Sequence, residues 1–170
     1  MKKYLLAIIV LITSSCASDT DVSPDTVGTG GSLARFTISG DYLYAVDNSR
    51  LLSFSLADPM NPQQTNVHQI GRGVETIFAM DTIVFIGTQT GMQMFDISEP
   101  SMPSYLSKFE HAVSCDPVVA QDTLAFVTLR SGNLCRTGDD QLDVIDIRNL
   151  QSPELIKSYP LENPHGLGIR

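Results

Sequence analysis

Two cysteines in the second half of the chain are the first residues whose type and spacing suggest chemistry. Cys115 and Cys135 lack the C-x-x-C spacing of a redox pair, and two thiols fall short of the four ligands of a structural zinc site. A structural disulfide is the interpretation we favour. A closed loop of about 20 residues would stabilise the fold by about 3 kcal/mol. A redox pair and a metal site remain the alternatives.

The three histidines do not form a metal-ligand pattern. His68, His111 and His165 hold different positions within the repeated units described below, so they need not converge on one ion. The stretch Thr137-Gly-Asp-Asp140 could suit calcium, but it lacks the D-x-D-x-D-G ladder of a calcium loop. A G-x-S-x-G nucleophile motif is also absent. The sequence therefore predicts no catalytic residues, no metal ligands and no cofactor.

The acidity of the chain argues against one broad class of partner. The 170 residues include 11 Lys and Arg but 19 Asp and Glu, so the formal net charge is −8. Because basic residues do not cluster beyond residue 3, nucleic acid is not an expected partner. A hydrophobic fraction of 42% with 18% charged residues excludes a disordered chain, a coiled coil and collagen.

The N-terminus is typical of a secretory signal, predicted over residues 1–15. Lys2 and Lys3 precede nine apolar residues, too few at about 1.5 Å each to cross a hydrocarbon core of about 30 Å. The following sequence, Thr13-Ser14-Ser15-Cys16, resembles a bacterial lipobox. That resemblance implies that Cys16 becomes the lipidated first residue of the mature protein. Ordinary signal cleavage is the alternative.

Residues 16–32 are predicted to form a flexible tether, because they are polar, rich in glycine and free of aromatic side chains. Acyl chains on Cys16 would then attach the protein to a bacterial membrane. We expect an extracytoplasmic location, at the outer membrane or cell surface. The chain would contact the membrane through this N-terminal lipid anchor.

Residues 33–170 are self-similar with a period of about 41 residues. Asp41, Asp81 and Asp122 each begin an apolar run, and an Asp-Pro, Glu-Pro or related turn follows each run. The units span about 33–73, 74–114 and 115–163, and residues 164–170 match the start of another. A period near 40 with several short strands per unit is typical of a β-propeller. The prediction is an all-β fold with three four-stranded blades and the first strand of a fourth, as a partial ring.

The strand pattern supports stacked blades. In the first unit the predicted strands are Arg35–Ser39, Tyr42–Val46, Leu51–Leu56 and Thr65–Ile70, separated by turn residues. The second strand is apolar on both faces, so both faces must be covered. A plain β-sandwich is the alternative, although it would not explain the regular period.

Two segments resemble a known repeat family. Phe95-Asp-Ile-Ser-Glu-Pro and Val144-Ile-Asp-Ile-Arg-Asn resemble LVIVD repeats, and each is preceded by a strand with the pattern D-x-h-x-h-h, where h is apolar. The resemblance covers about residues 33–170 and implies propeller-type units of secreted and surface proteins of bacteria. It supplies no catalytic motif. The first unit departs most, with Ser53-Phe-Ser-Leu-Ala at the corresponding place.

The end of the sequence suggests a truncated piece of a longer protein. Three blades and a strand cannot close a ring that usually has four to eight. An open ring exposes strand edges and an apolar face, a state that aggregates or recruits a partner.

Many polar residues are predicted to lie on the loops at one end of the ring. In a four-stranded antiparallel blade, the loop after the second strand and the crossing to the next blade lie at the same end. Cys115 and Cys135 would meet there, and loops on a rigid scaffold commonly bind partners. The candidate binding residues on this face, beside Glu75, are Arg72, His111, Asp116, Arg130, Arg136, Asp139, Asp140 and His165.

The sequence thus favours a lipid-anchored, cell-envelope module that binds or scaffolds without catalysis. Its partner would be a protein or a glycan. An envelope enzyme acting on a glycan or peptide at the channel face is the alternative, and a structural adhesion component is a third reading.

The lipid anchor gives the first testable prediction. We expect Cys16→Ser to abolish incorporation of an alkyne-labelled fatty acid into the chain in growing bacteria, because that thiol would carry acyl groups. The label is read by fluorescence on a denaturing gel. Cys115→Ser, which removes a different thiol, is the matched control and should keep its label. Persistent labelling of the Cys16→Ser chain would contradict the lipidation site.

Overall fold

The computed structural model describes residues 34–110, 117–130, 139–164 and 166–169, which form three four-stranded antiparallel sheets. Sheet 1 contains β1 (Phe36–Ser39), β2 (Tyr42–Val46), β3 (Arg50–Ser55) and β4 (Gln63–Gln69). Sheet 2 contains β5 (Val74–Met80), β6 (Ile83–Thr88), β7 (Gly91–Asp96) and β8 (Ser104–Glu110). Sheet 3 contains β9 (Val118–Gln121), β10 (Leu124–Leu129), β11 (Gln141–Asp146) and β12 (Glu154–Pro160).

The prediction of an all-β fold with three four-stranded blades is confirmed by these sheets, each of which takes its strands in chain order. Strands of the first unit begin and end within two residues of the predicted ranges. Residues 166–169, predicted to start another unit, are assigned to no strand. Leu167 and Ile169 nevertheless pack against the apolar cluster between sheets 2 and 3.

Sheets 1 and 2 pack face to face. We call the face of a sheet toward the following sheet its forward face, and the opposite one its backward face. Tyr44 and Leu51 on the forward face of sheet 1 pack in one cluster with Val84, Ile86 and Phe95 on the backward face of sheet 2. All five side chains are at most 1% exposed, so this contact forms one core.

Sheets 2 and 3 repeat the same arrangement. Phe85 and Met94 on the forward face of sheet 2 pack with Ala125, Val127 and Ile145 of sheet 3. Because sheet 2 is covered on both sides, every residue of β6 is buried. The prediction that a strand apolar on both faces must be covered on both faces is confirmed for this central sheet.

The backbone shows that the repeat is 41 residues long across the first two units, and it corrects one alignment. Gly40, Asp81 and Asp122 each begin the turn before the second strand with φ of 55°, 52° and 54°. Asp41 therefore corresponds to Thr82, and the alignment of Asp41 with Asp81 is wrong by one residue. Glycine adopts this left-handed conformation freely and aspartate tolerates it, so the same turn has two sequence forms.

The aspartate that ends the third strand of a unit organises the turn that follows. Asp96 Oδ1 accepts a hydrogen bond from the Ser98 amide at 2.7 Å, and Asp146 Oδ1 accepts one from the Arg148 amide at 2.9 Å. Ser55 takes this place in the first unit, where its Oγ accepts the Ala57 amide at 3.3 Å. A hydroxyl thus replaces the carboxylate in the unit that departs most from the repeat.

The turns at this end also link neighbouring sheets. The hydroxyl of Tyr44 in sheet 1 donates to the Pro100 carbonyl of sheet 2 at 3.0 Å. The hydroxyl of Ser107 in sheet 2 donates to the Leu150 carbonyl of sheet 3 at 2.5 Å. Pro100 and Leu150 hold the same place in their units, so one carbonyl of each turn receives a bond from the preceding sheet.

Among the described residues, none belongs to a helix long and apolar enough to span a membrane.

Tyr44 gives a prediction about stability and pH. Burial raises the pKa of Tyr44 to about 12, with a smaller contribution from Tyr42 beside it. An unfolded tyrosine loses its proton near pH 10. The neutral phenol therefore contributes its full stability below about pH 10, and the contribution is lost as the pH rises through about 12.

We expect Tyr44→Phe to lower the free energy of unfolding by about 1 kcal/mol at pH 8, through loss of the hydrogen bond to Pro100. The difference from the parent chain should change steadily between about pH 10 and 12, because only the parent can ionise at this position. Urea denaturation at a series of pH values measures the free energy of unfolding of both chains, and hence this difference. A difference that stays constant to pH 12 would contradict the burial of this hydroxyl.

Candidate functional site

A polar cavity of about 520 Å³ opens where sheets 1 and 2 meet, at the end of the strands away from the aspartate turns. It is formed by the start of β1, the β2–β3 hairpin, the crossing from sheet 1 to sheet 2, and the β6–β7 hairpin. We call it the loop-end cavity. Its lining residues are Arg35, Asn48, Ser49, Arg72, Gly73, Val74, Glu75 and Gln89.

Backbone hydrogen bonds hold the hairpin and the crossing together. The Ser49 carbonyl accepts the amides of Ile70 at 2.8 Å and Gly71 at 3.2 Å, and the Asn48 carbonyl accepts the Val74 amide at 3.4 Å. The loop after the second strand and the crossing to the next sheet therefore lie at the same end, as expected from the sequence. The cavity wall is consequently fixed by main-chain contacts.

Arg35 joins the two sheets at the floor of the cavity. Its Nη2 donates to the Val74 carbonyl at 2.6 Å and its Nε donates to the Glu75 carbonyl at 3.3 Å. Nη1 reaches Asn48 Oδ1 at 3.4 Å. Because the planar guanidinium presents five donors in a rigid fork, one side chain can hold a strand start and a hairpin together.

Arg72 projects from the crossing between two glycines in left-handed conformations. The φ angle is 114° at Gly71 and 77° at Gly73. A Cβ on Gly73 would lie 2.9 Å from Cδ of Gln89 and would displace that side chain, and the φ of 77° itself favours glycine. Arg72 is exposed, and within the described ranges its guanidinium has neither a hydrogen bond nor an ion pair.

Glu75 and Gln89 form the opposite side of the cavity. Gln89 Nε2 donates to Glu75 Oε1 at 3.3 Å, while the Gln89 amide donates to the Gly73 carbonyl at 2.9 Å. The second carboxylate oxygen of Glu75 takes no part in that bond. The cavity thus offers guanidinium donors, a carboxylate acceptor and side-chain amides within one opening.

The β2–β3 hairpin beside the cavity is held by its own ion pair. Arg50 lies 2.5 Å from Asp47, and the hydrogen bond from its side chain, with amide bonds from Ser49 and Arg50, holds the pKa of Asp47 at about 2. Arg50 does not line the cavity. It is therefore a paired, exposed arginine, whereas Arg72 has no ion pair within the part of the chain that the structure describes.

The structure places four of the predicted binding-face residues. Arg72 lines the loop-end cavity. Arg130 follows β10, and Asp139 and Asp140 precede β11 in the third unit. Asp140 holds the chain beyond β12, because its carbonyl accepts the Leu161 amide and its Oδ2 accepts the Asn163 amide, both at 2.9 Å. The remaining predicted site residues lie outside the described residues: Cys16, His111, Cys115, Asp116, Cys135, Arg136 and His165.

His68 lies on β4 at the rim of sheet 1, and its ring packs edge-on against Phe95 with centroids 4.9 Å apart. His68 therefore contributes to packing between sheets 1 and 2. Among the described residues, three or more His, Cys, Asp or Glu side chains do not come together as a metal-binding group.

The sequence analysis did not identify two polar residues, Asp143 and Gln93, that form hydrogen bonds within the sheets. Asp143 is 3% exposed, and its Oδ1 accepts Ser158 Oγ at 2.6 Å and Gln141 Nε2 at 2.7 Å. Gln93, at the corresponding place in sheet 2, donates to the Ile70 carbonyl at 3.2 Å. A polar residue inside an apolar strand pattern was the available signal, but Ser158 and Ile70 lie on other strands, 15 and 23 residues away.

The geometry defines a class of protein: successive four-stranded sheets packed face to face, with a polar cavity at the loop end. The family described as LVIVD repeat matches residues 79–110 and 136–160. These segments include β6–β8, β11 and β12, so the predicted resemblance is confirmed for the second and third units. The comparison with curated proteins found no match.

Among solved structures, one chain in the complex of S. cerevisiae Dbp5 with Nup159, Gle1, IP6 and ADP is similar. The sequences are 12% identical, with a TM-score of 0.48. The similar region covers 74% of the present chain and 30% of that solved chain, so the present chain spans less than a third of its length.

Proposed function

We propose that this chain is a non-catalytic binding or scaffolding module, attached to the cell envelope by a lipid on Cys16 and binding its partner at the loop-end cavity. One observation carries the proposal. The cavity gathers polar side chains from three loops and a strand start, and the sheets behind it are closely packed. Loops held by a rigid scaffold are the usual place for binding residues.

The cavity's chemistry favours a polar segment of a partner protein. The guanidinium of Arg72 can donate two parallel hydrogen bonds to a carboxylate or single bonds to peptide carbonyls. The free carboxylate oxygen of Glu75 can accept a peptide N–H. A cavity of about 520 Å³ lies within the range of small binding sites, so it accommodates a short segment.

The tether would set how far the loop-end cavity can lie from the membrane that holds the lipid anchor. A flexible chain of 17 residues between the lipid and the first unit spans on the order of 20–25 Å on average. The sheets would then sit clear of the headgroups. The acidic chain would not be drawn to anionic lipids.

In-cell photo-crosslinking tests the proposed binding site. We expect a photoreactive phenylalanine analogue at Asn48, an exposed residue of the cavity, to give a defined adduct with a partner protein in living cells. The same analogue at Met60, 93% exposed in a turn at the opposite end, is the matched control and should give none. Adducts are detected by immunoblot.

A second substitution connects the adduct to the cavity's chemistry. Arg72→Ala should reduce the Asn48 adduct by at least tenfold, the loss expected from a charge-assisted hydrogen bond of about 1.5–3 kcal/mol. Arg50→Ala, which removes a nearby arginine already paired with Asp47, should leave the adduct. Equal adducts at Asn48 and Met60, or an adduct unaffected by Arg72→Ala, would contradict the proposed site.

A further inference from the structure

A second cavity lies where sheets 1 and 2 meet, at the opposite end of the strands from the loop-end cavity. We call it the turn-end cavity. It is formed by the β1–β2, β5–β6 and β7–β8 turns, and its volume of about 320 Å³ is within the range of small-ligand sites. Its lining includes Asp41, Tyr42, Asp81, Thr82, Ile97 and Ser98.

The wall of the turn-end cavity is held by hydrogen bonds that leave most of its polar side chains unused. The Tyr44 hydroxyl donates to the Pro100 carbonyl at 3.0 Å and so joins the two sheets. The Asp41 carbonyl accepts the Leu56 amide at 2.7 Å, and the Thr82 carbonyl accepts the Ile97 amide at 2.8 Å. The turns are therefore fixed through their main chain.

The lining combines hydrogen-bond acceptors with an apolar surface. Within the described ranges, the side chains of Asp41, Asp81 and Ser98 make no hydrogen bond or ion pair. Tyr42 is half-buried, with its ring stacked on that of Tyr44 at a centroid distance of 6.4 Å. Because a carboxylate only accepts hydrogen bonds, a matching ligand must bring donors, and the ring favours one with an apolar or cationic part.

The same place between sheets 2 and 3 has different chemistry, so the fold itself does not require this lining. The residues there that correspond to Asp41, Tyr42 and Ser98 are Thr82, Ile83 and Arg148, in that order, and Asp122 corresponds to Asp81. The first junction thus has two carboxylates and an aromatic ring. The second has one carboxylate, one guanidinium and an aliphatic side chain.

The surroundings of the turn-end cavity are uniformly acidic. Residues 39–42, 55–63, 79–83 and 96–104 form this end of sheets 1 and 2, and they include no Lys, Arg or His. Their charged residues are Asp41, Asp58, Asp81, Asp96 and Glu99. Charge of one sign around a cleft raises the local concentration of a ligand of opposite charge.

We propose that the turn-end cavity binds a small alkyl diamine, which is a methylene chain with a primary ammonium group at each end. Each ammonium presents three hydrogen-bond donors, which the carboxylates of Asp41 and Asp81 and the hydroxyls of Thr82 and Ser98 can accept. The methylene chain lies along Tyr42 and Ile97, as the stem of a lysine side chain does on an apolar surface. This site is separate from the loop-end cavity and does not depend on the proposed function there.

Equilibrium dialysis of the full chain against radiolabelled putrescine, in a non-ionic detergent at low ionic strength, tests the proposal. The parent chain should bind saturably at one site. Asp41→Asn and Asp81→Asn should each weaken binding by about fivefold or more, because each removes a charged acceptor. Asp122→Asn is the matched control, since Asp122 has the same turn conformation as Asp81 (φ 54° and 52°) but does not line the cavity. It should bind like the parent.

Variants of Tyr42 test the contribution of the ring. Tyr42→Phe keeps the aromatic face and should retain binding, whereas Tyr42→Leu should weaken it by about threefold through loss of the contact between cation and ring. Urea denaturation verifies that each variant is folded. Asparagine tolerates the left-handed conformation at residue 81, so the two aspartate variants test the proposal even where Tyr42→Leu does not fold.

Two competitors distinguish a diamine from other ligands. Unlabelled 1,4-butanediol, which has the same length without charge, should not displace putrescine, and Nα-acetyl-lysine amide should compete at least tenfold more weakly than unlabelled putrescine. Equal competition by the lysine derivative would overturn the proposal in favour of a lysine side chain of a partner protein. The absence of saturable binding, displacement by the diol, or equal losses in Asp81→Asn and Asp122→Asn would also overturn it.

Discussion

The contact between apolar faces of successive sheets is the interaction on which the rest of the structure depends. A four-stranded sheet with two apolar faces gains stability when both faces are covered by other sheets. Sheet 2 has them, and each side chain of β6 is buried. The hydrogen bonds from Tyr44 to Pro100 and from Ser107 to Leu150 then fix how one sheet lies on the next. The stacking is thus held by burial and given its geometry by a few polar contacts.

The loop-end cavity is a consequence of this stacking. Residues 39 and 40 positions apart meet there only because sheets 1 and 2 are packed face to face, as the bonds from Arg35 to Val74 and Glu75 show. Most cavity groups are used in holding the wall: Arg35 bridges the sheets, and Gln89 binds both Glu75 and Gly73. Arg72 lies between two glycines, and among the described residues its guanidinium makes no hydrogen bond or ion pair.

Much of the fold could be predicted from the sequence because its signals are local and repeated. Turn residues such as Gly40 and Asp81, and the Glu-Pro turn at Pro100, mark strand ends at a constant spacing, and the period predicts stacked sheets. The alignment of Asp41 with Asp81 failed because one left-handed turn accepts either glycine or aspartate. The cavity was predicted only in outline, through Arg72 and Glu75. The bridging role of Arg35 depends on contacts across sheets, which strand periodicity does not encode.

Hydrogen exchange followed by mass spectrometry tests most directly whether face-to-face burial holds the molecule together. The account predicts that the amides of β6, the strand buried on both faces, exchange slowest, with exchange approaching the rate set by global unfolding. The rim strands β4 and β12, whose side chains are mostly exposed, should exchange much faster. Equal protection of β4, β6 and β12 would contradict the account, because it would mean that burial between sheets does not determine where the stability lies.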